Sequence, residues 1–197
     1  MAPPAAAAAI IAAGGSPFDI GTDFGGFVRH PAHCCGITGL KPATGRVPRT
    51  GHIVGYGGYF DPMQVVGPLA RWVEDLEMLG DLIRGPDYLD AAIVPAPWLS
   101  PGDVDLKKLK VAYYTDNGNK DPVTPETAAA VKRAVGIREA AGVTCIEDCP
   151  TELHLESQQL RGELSSADGR AWVRRYLEGY GTKQVSPCGR PERGRSM

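Results

Sequence analysis

Apolar residues recur at three-and-four spacing through Leu69, Trp72, Val73, Leu76, Leu79 and Ile83, with Arg71, Glu74, Asp75 and Asp81 on the other faces. That period predicts an amphipathic helix with Trp72 and Leu76 in its core face, stopped by Gly85-Pro86. Further along, Leu109 to Tyr114 reads as a strand. Thr124 and Pro125 read as the N-cap and first turn of a helix that runs to about Ala141 and closes at Gly142. Val143 to Glu147 reads as a second strand, so this stretch predicts a βαβ unit with its strands parallel. Glu156 to Gly179 reads as mostly helical. At the other end, Pro3 and Pro4 lead into an alanine-rich helix over Ala5 to Ala13, closed by Gly14-Gly15. It carries no charge, which predicts that it is buried. Between these regions, residues 14–68 are dense in glycine and proline, so irregular loops and short strands such as Cys35 to Leu40 are expected there. Tyr56, Tyr59 and Phe60, interleaved with glycines, are candidates to line a substrate mouth, against which stands the plainer reading of loop aromatics capping a core edge.

The chain has 197 residues, 43% apolar and 22% charged, which is ordinary for a globular protein. Gly (25) and Pro (17) are over-used, in keeping with a loop-rich chain. Lys and Arg total 21 against 23 Asp and Glu, a net charge of -2 that leaves no electrostatic footprint for nucleic acid or an anionic membrane. Residues 186–197 read as a disordered polar tail whose Arg190, Arg193 and Arg195 are too few to change this, leaving 1–185 as a single domain. No apolar run approaches the roughly 18 residues that suggest a membrane span. The alanine-rich start has no Lys or Arg before Arg29, so it reads as a helix rather than a signal peptide, and the protein is expected in the cytoplasm. Five cysteines, an odd number, favour reduced thiols.

The chemistry-bearing run is Gly21 to Gly45, GTDFGGFVRHPAHCCGITGLKPATG. The Gly25-Gly26 pair permits a sharp turn whose successive N–H groups can converge on an anion or a developing oxyanion. Asp23 and Arg29 flank the turn and are suited to clamp its limbs as an ion pair. Ser16, in G-G-S-P, is a possible nucleophile but reads as a turn residue. Cys34 and Cys35, near His30 and His33, hold the ingredients of a cysteine nucleophile, against which stands the plainer reading of buried thiols beside a loop histidine. A zinc site from the same cluster is disfavoured because its candidates crowd into one short segment and the two cysteines are adjacent. Cys145 and Cys149, with His154 behind them, form a second group that reads as facing a strand end and solvent. No metal and no cofactor are expected.

The run as a whole resembles the amidase signature family. The matching residues are the alanine-rich Ala8 to Gly14, G-T-D-F-G-G-x-V-R-x-P-A at Gly21 to Ala32, C-G-I-x-G-L-K-P at Cys35 to Pro42, G-R-V at Gly45 to Val47, and V-G-P-L-A-R-x-V-E-D-L at Val66 to Leu76. The resemblance implies an α/β fold, part of a mixed β-sheet wrapped by helices with Gly/Pro-rich loops. It also implies hydrolysis of small-molecule carboxylic amides, and some esters, by a serine, a second serine in a cis peptide, and a lysine. Carried across residue by residue, the nucleophilic serine falls on Phe27, which has no nucleophilic atom. The bridging serine falls near Pro4, and no lysine precedes Lys41. Phe24, Gly25, Gly26 and Phe27 match the oxyanion loop, and Asp23 and Arg29 match its scaffold. The expectation is therefore a truncated, impaired hydrolase of amide bonds. Its alternatives are a non-catalytic binding fragment or a weak esterase using the retained loop. A shortened sheet also implies open edges through which copies could self-associate.

Overall fold

A computed structural model gives the structure, which describes residues 4–52, 61–116, 123–168, 178–179 and 181. The chain is a mixed α/β protein that divides into two compact units, Met1–Pro97 with Asp168–Met197, and Trp98–Ala167.

The first unit is built on a three-stranded antiparallel sheet in the order β1 (Phe18–Asp23), β3 (Val65–Ala70), β2 (Thr38–Gly39). Among the described residues, three α-helices accompany it: α1 (Pro4–Ala12), α2 (Arg29–Cys35) and α3 (Val73–Ile83). Ala8 and Ile11 of α1, Val28 and Ala32 at α2, and Leu69 of β3 are buried together, with Cys35 and Ile37 packed against them. A second cluster joins Ala70 to Leu76 and Leu79 of α3, with Leu40 alongside.

Proline in a central strand normally forfeits a ladder bond. Pro68 forfeits one on the β2 side: its carbonyl accepts from Leu40 N at 3.0 Å, but its nitrogen, facing the same way, has no hydrogen to return to the Leu40 carbonyl, and the paired part of β2 ends at Gly39. The β1 side loses nothing there, since Ile20, opposite Pro68, turns its N–H away to its neighbour Asp19 Oδ1 at 2.7 Å. One position along, Gly67 admits the 38–42 segment. A Cβ there would lie 2.0 Å from the Leu40 carbonyl oxygen.

Side chains tie the ends of these elements. Arg71 donates to the carbonyls of Ile11 (3.3 Å) and Ser16 (3.1 Å), and Thr38 Oγ1 donates to those of Ala70 (2.7 Å) and Trp72 (3.1 Å). The segment after β2 is strapped to the one after α3. Gly85 N donates to Arg46 O at 3.0 Å, Val94 N to Gly45 O at 2.9 Å, and Arg49 N to Asp90 Oδ2 at 2.9 Å.

The second unit holds the expected βαβ arrangement: β4 (Lys110–Tyr113), α4 (Pro125–Ala140) and β5 (Thr144–Glu147), with the two strands parallel. Thr124 caps α4 by accepting from Thr127 N at 3.4 Å. Gly142, at φ +92°, turns the chain into β5. Val135 and Val143 are buried, whereas Ile137 and Ile146 are exposed. Helix α5 (Thr151–Asp168) follows.

Several expectations are corrected. Residues 29–35 form a helix, and Cys35 ends it rather than opening a strand. Only Thr38–Gly39 of the expected strand pairs. Leu69 belongs to β3 and the amphipathic helix begins at Val73, because Val65–Ala70 are drawn into the sheet by pairing with β1. Trp72 is the exposed N-cap of α3 and not a core residue; Leu76 is buried as expected. Among the residues of the uncharged α1 whose burial is described, Ala7, Ala8 and Ile11 are buried and Ile10 is exposed, because α2 and the sheet pack on one face of it. The aromatics Tyr56, Tyr59 and Phe60, the boundary at 185 and the tail 186–197 lie outside the described residues. Among those described, no helix is long and apolar enough to cross a membrane.

Candidate functional site

Asp23 ends β1 and its side chain is completely buried. A lone carboxylate there would be costly, so it must be surrounded by donors. Five are supplied by the next six residues. Oδ1 accepts from Gly26 N (2.7 Å) and Arg29 Nη2 (3.0 Å); Oδ2 accepts from Arg29 Nε (2.9 Å), Arg29 N (3.2 Å) and Val28 N (3.3 Å). Burial alone would raise the carboxyl pKa, and it is the largest single influence. The Arg29 side chain, the Gly26 and Arg29 N–H groups and the Arg29 charge together outweigh it and hold the group down to about 2. The same contact raises the Arg29 pKa.

The expected clamp is therefore present, and it does more than join two limbs. The bend Phe24–Phe27 is wound around one carboxylate, with Gly26 at φ +112° and its carbonyl accepting from His30 N at 2.7 Å. This changes the donor inventory of the glycine turn. The Gly26 N–H is spent on Asp23. The N–H groups of Gly25 and Phe27 make no hydrogen bond among the described residues. The Phe27 ring is 58% exposed, projecting outward from the bend while its neighbour Val28 is fully buried.

The other candidates separate from the bend. Ser16 Oγ donates to the Phe18 carbonyl at 2.8 Å, a local turn contact with no base beside it. Cys34 Sγ lies 3.9 Å from both Nδ1 and Nε2 of His30. Equal distances put the sulfur on the plane bisecting the ring, off the lone-pair axis of either nitrogen, so the contact is not a proton relay of the kind a nucleophilic cysteine uses. Cys35 lies on the other side of the helix, against the core. Cys145 and Cys149 are half-buried. In their present positions no three His, Cys, Asp or Glu groups among the described residues stand close enough to share a metal ion.

The helical placement of 28–35 was legible in one signal. Val28, Pro31, Ala32 and Cys35 follow i, i+3, i+4, i+7 spacing, and all four turn inward. The glycines and prolines around them mask that period. The five-donor grip of Asp23 had no sequence signal beyond the Asp23–Arg29 spacing.

The mixed α/β fold is shared with solved structures of amidase-signature proteins. The Amidase family profile matches residues 6–190, and the chain belongs to that family. It is 36% identical over 173 residues to a glutamyl-tRNA(Gln) amidotransferase subunit from Staphylococcus saprophyticus, covering 82% of this chain and 35% of the relative. It is 33% identical over 183 residues to fatty-acid amide hydrolase 1 of Sus scrofa, covering 91% of this chain and 31% of that one. Among solved structures it resembles a fatty acid amide hydrolase (TM-score 0.65, 28% identity, 91% of this chain and 32% of that one). It also resembles 6-aminohexanoate cyclic dimer hydrolase (TM-score 0.63, 28% identity, 75% and 31%). The chain thus spans about a third of the length of the relatives it matches.

Proposed function

We propose that this chain is a catalytically impaired member of the amide-bond hydrolases, one that keeps the oxyanion-type bend and lacks the attacking group. The observation that carries this reading is Phe27. The bend is held by Asp23 and Arg29, and the side chain it presents to solvent is a phenyl ring that cannot form an acyl intermediate. The bend itself still offers the Gly25 and Phe27 N–H groups, so residual stabilisation of an oxyanion, and with it slow ester hydrolysis, is compatible with the scaffold. Substrates would be small carboxylic amides or esters. The test is turnover of p-nitrophenyl acetate and a p-nitroanilide by the purified chain, alongside Phe27→Ala and Phe27→Ser. Ester hydrolysis that is slow and equal in the wild type and Phe27→Ala supports the reading. Anilide turnover at the rate of an intact amidase overturns it.

A second reading, a non-catalytic chain that pairs with its own copies, is favoured by the second unit. A two-stranded parallel sheet is marginal by itself, and Ile137 and Ile146 stand exposed beside it. Sedimentation velocity over a hundredfold concentration range tests it: a single monomeric species throughout removes this reading.

A further inference from the structure

Helix α5 carries its polarity the reverse way to a helix laid on a core. Along residues 151–167 the side chains drawn partly out of solvent are Thr151, His154 and Ser165, all polar. The leucines lie elsewhere: Leu153, Leu160 and Leu164 are 66%, 54% and 40% exposed. At about 100° per residue these three fall within about 40° of one another, and Ser157 and Ala167 widen the line on either side. Positions 153, 157, 160, 164 and 167 alternate steps of four and three, the spacing of a seam between paired helices. No described element of its own unit packs closely along α5. We infer that this leucine seam docks on the same seam of a second copy of the chain, with the two helices parallel. The inference rests on the self-association reading above and gives it a definite surface.

The charges beside the seam select both the occupant and its direction. Glu156 and Glu163 lie along one flank, His154 and Arg161 along the other. A two-fold axis running with the helices sets the acidic flank of each copy against the basic flank of the other. Glu156 then stands opposite Arg161 of the second copy, five residues further along, and the symmetry makes that pair twice. In an antiparallel pair glutamates would face glutamates. A seam with one acidic and one basic edge is thus complementary to itself in the parallel sense. The ion pairs are exposed, so they fix direction more than strength. Ser157 enters the seam with its hydroxyl already donating to the His154 carbonyl at 2.7 Å, so docking strands no donor there. Strength comes from the leucines. Little more than two heptads cannot bury the roughly 800 Å² per partner of a standard complex, so the dimer is weak and driven by concentration.

The experiment follows the full chain, kept reduced, by sedimentation velocity over a hundredfold concentration range reaching about 1 mM. A monomer–dimer equilibrium is expected in the wild type. Leu160→Glu, at an exposed seam position, should raise the dimer Kd by at least about tenfold while the far-UV circular dichroism of the monomer is unchanged. Glu156→Arg and Arg161→Glu should each raise it by about three- to tenfold, since each puts like charges across the seam. Mixed together, those two single variants should form a heterodimer tighter than either homodimer, because the mixture restores both opposite-charge pairs. That mixture tests parallel docking without relying on any one variant's behaviour. Ile146→Asp, on the sheet, should leave the Kd unchanged. If Ile146→Asp dissolves the dimer and Leu160→Glu does not, the inference is overturned while self-association stands. A wild type that is monomeric throughout removes both. A dimer whose charge variants fail to prefer each other when mixed also overturns the parallel seam.

Discussion

Removing the Asp23 carboxylate should cost more than removing its charged partner, and the structure sets the size of the difference. In Asp23→Ala, the N–H groups of Gly26, Val28 and Arg29 lose their acceptor together, and the Val28 contact is buried. A buried donor left unpaired costs about 1–3 kcal/mol, so about 3–5 kcal/mol is expected for the set. Asp23→Asn keeps the volume and one accepting oxygen, and should cost about 2 kcal/mol. Arg29→Ala removes the two guanidinium contacts, but its side chain is 54% exposed and three backbone donors remain on the carboxylate. Solvent screening holds that loss to about 1–2 kcal/mol. Urea unfolding followed by far-UV circular dichroism, with amide exchange over residues 24–35, measures the series. If Arg29→Ala proves as costly as Asp23→Ala, the bend is held by the ion pair and not by the backbone contacts, and the reasoning fails.

The same carboxylate sets an acid limb. Its pKa is held at about 2 against an ordinary 3.8, so the contribution is complete above pH 4 and is lost as pH falls towards 2. The depression corresponds to roughly 2 kcal/mol. A wild-type stability that falls between pH 4 and 2, with a flatter profile in Asp23→Asn, is the expected outcome of acid titration under mild urea.

Two further substitutions test the packing. Gly67→Ala places a methyl group 2.0 Å from the Leu40 carbonyl oxygen, so it must push the 38–42 segment off β3. A loss of about 3 kcal/mol or more, or failure to accumulate folded protein, is expected, and a thermal midpoint within a degree of wild type would contradict the packing described. Leu69→Ala empties a fully buried position between α1 and α2 and should cost about 2–5 kcal/mol in the same urea assay, with an unchanged midpoint as the contrary result.

The second unit was the most legible part of the chain. Thr124, Pro125 and Gly142 mark the ends of α4 with residues whose backbone chemistry is specific, and the flanking strands fall where the apolar runs lie. The helix at α3 was legible in type but not in its start. The same spacing runs on through Leu69 into β3, and only tertiary pairing with Phe18–Asp23 assigns that residue to the sheet. Helix α2 was obscured by composition. Pro31 and Gly36 look like loop residues, yet one sits in the first turn, where its missing N–H is no loss, and the other supplies the left-handed cap. At the site, the Asp23–Arg29 clamp could be read from spacing. The capture of the Gly26 N–H by the same carboxylate could not, because it depends on where a buried side chain ends up and not on which residues are nearby in sequence.

Labelling with a fluorophosphonate, followed by intact mass spectrometry, puts the proposed absence of a nucleophile from the glycine bend to its most direct trial. The unmodified mass should be recovered from the wild type after prolonged exposure, because no side chain on the bend can carry the phosphonyl group. A stoichiometric adduct, mapped to any residue of this chain and lost on heat denaturation beforehand, would show that a working nucleophile is present after all.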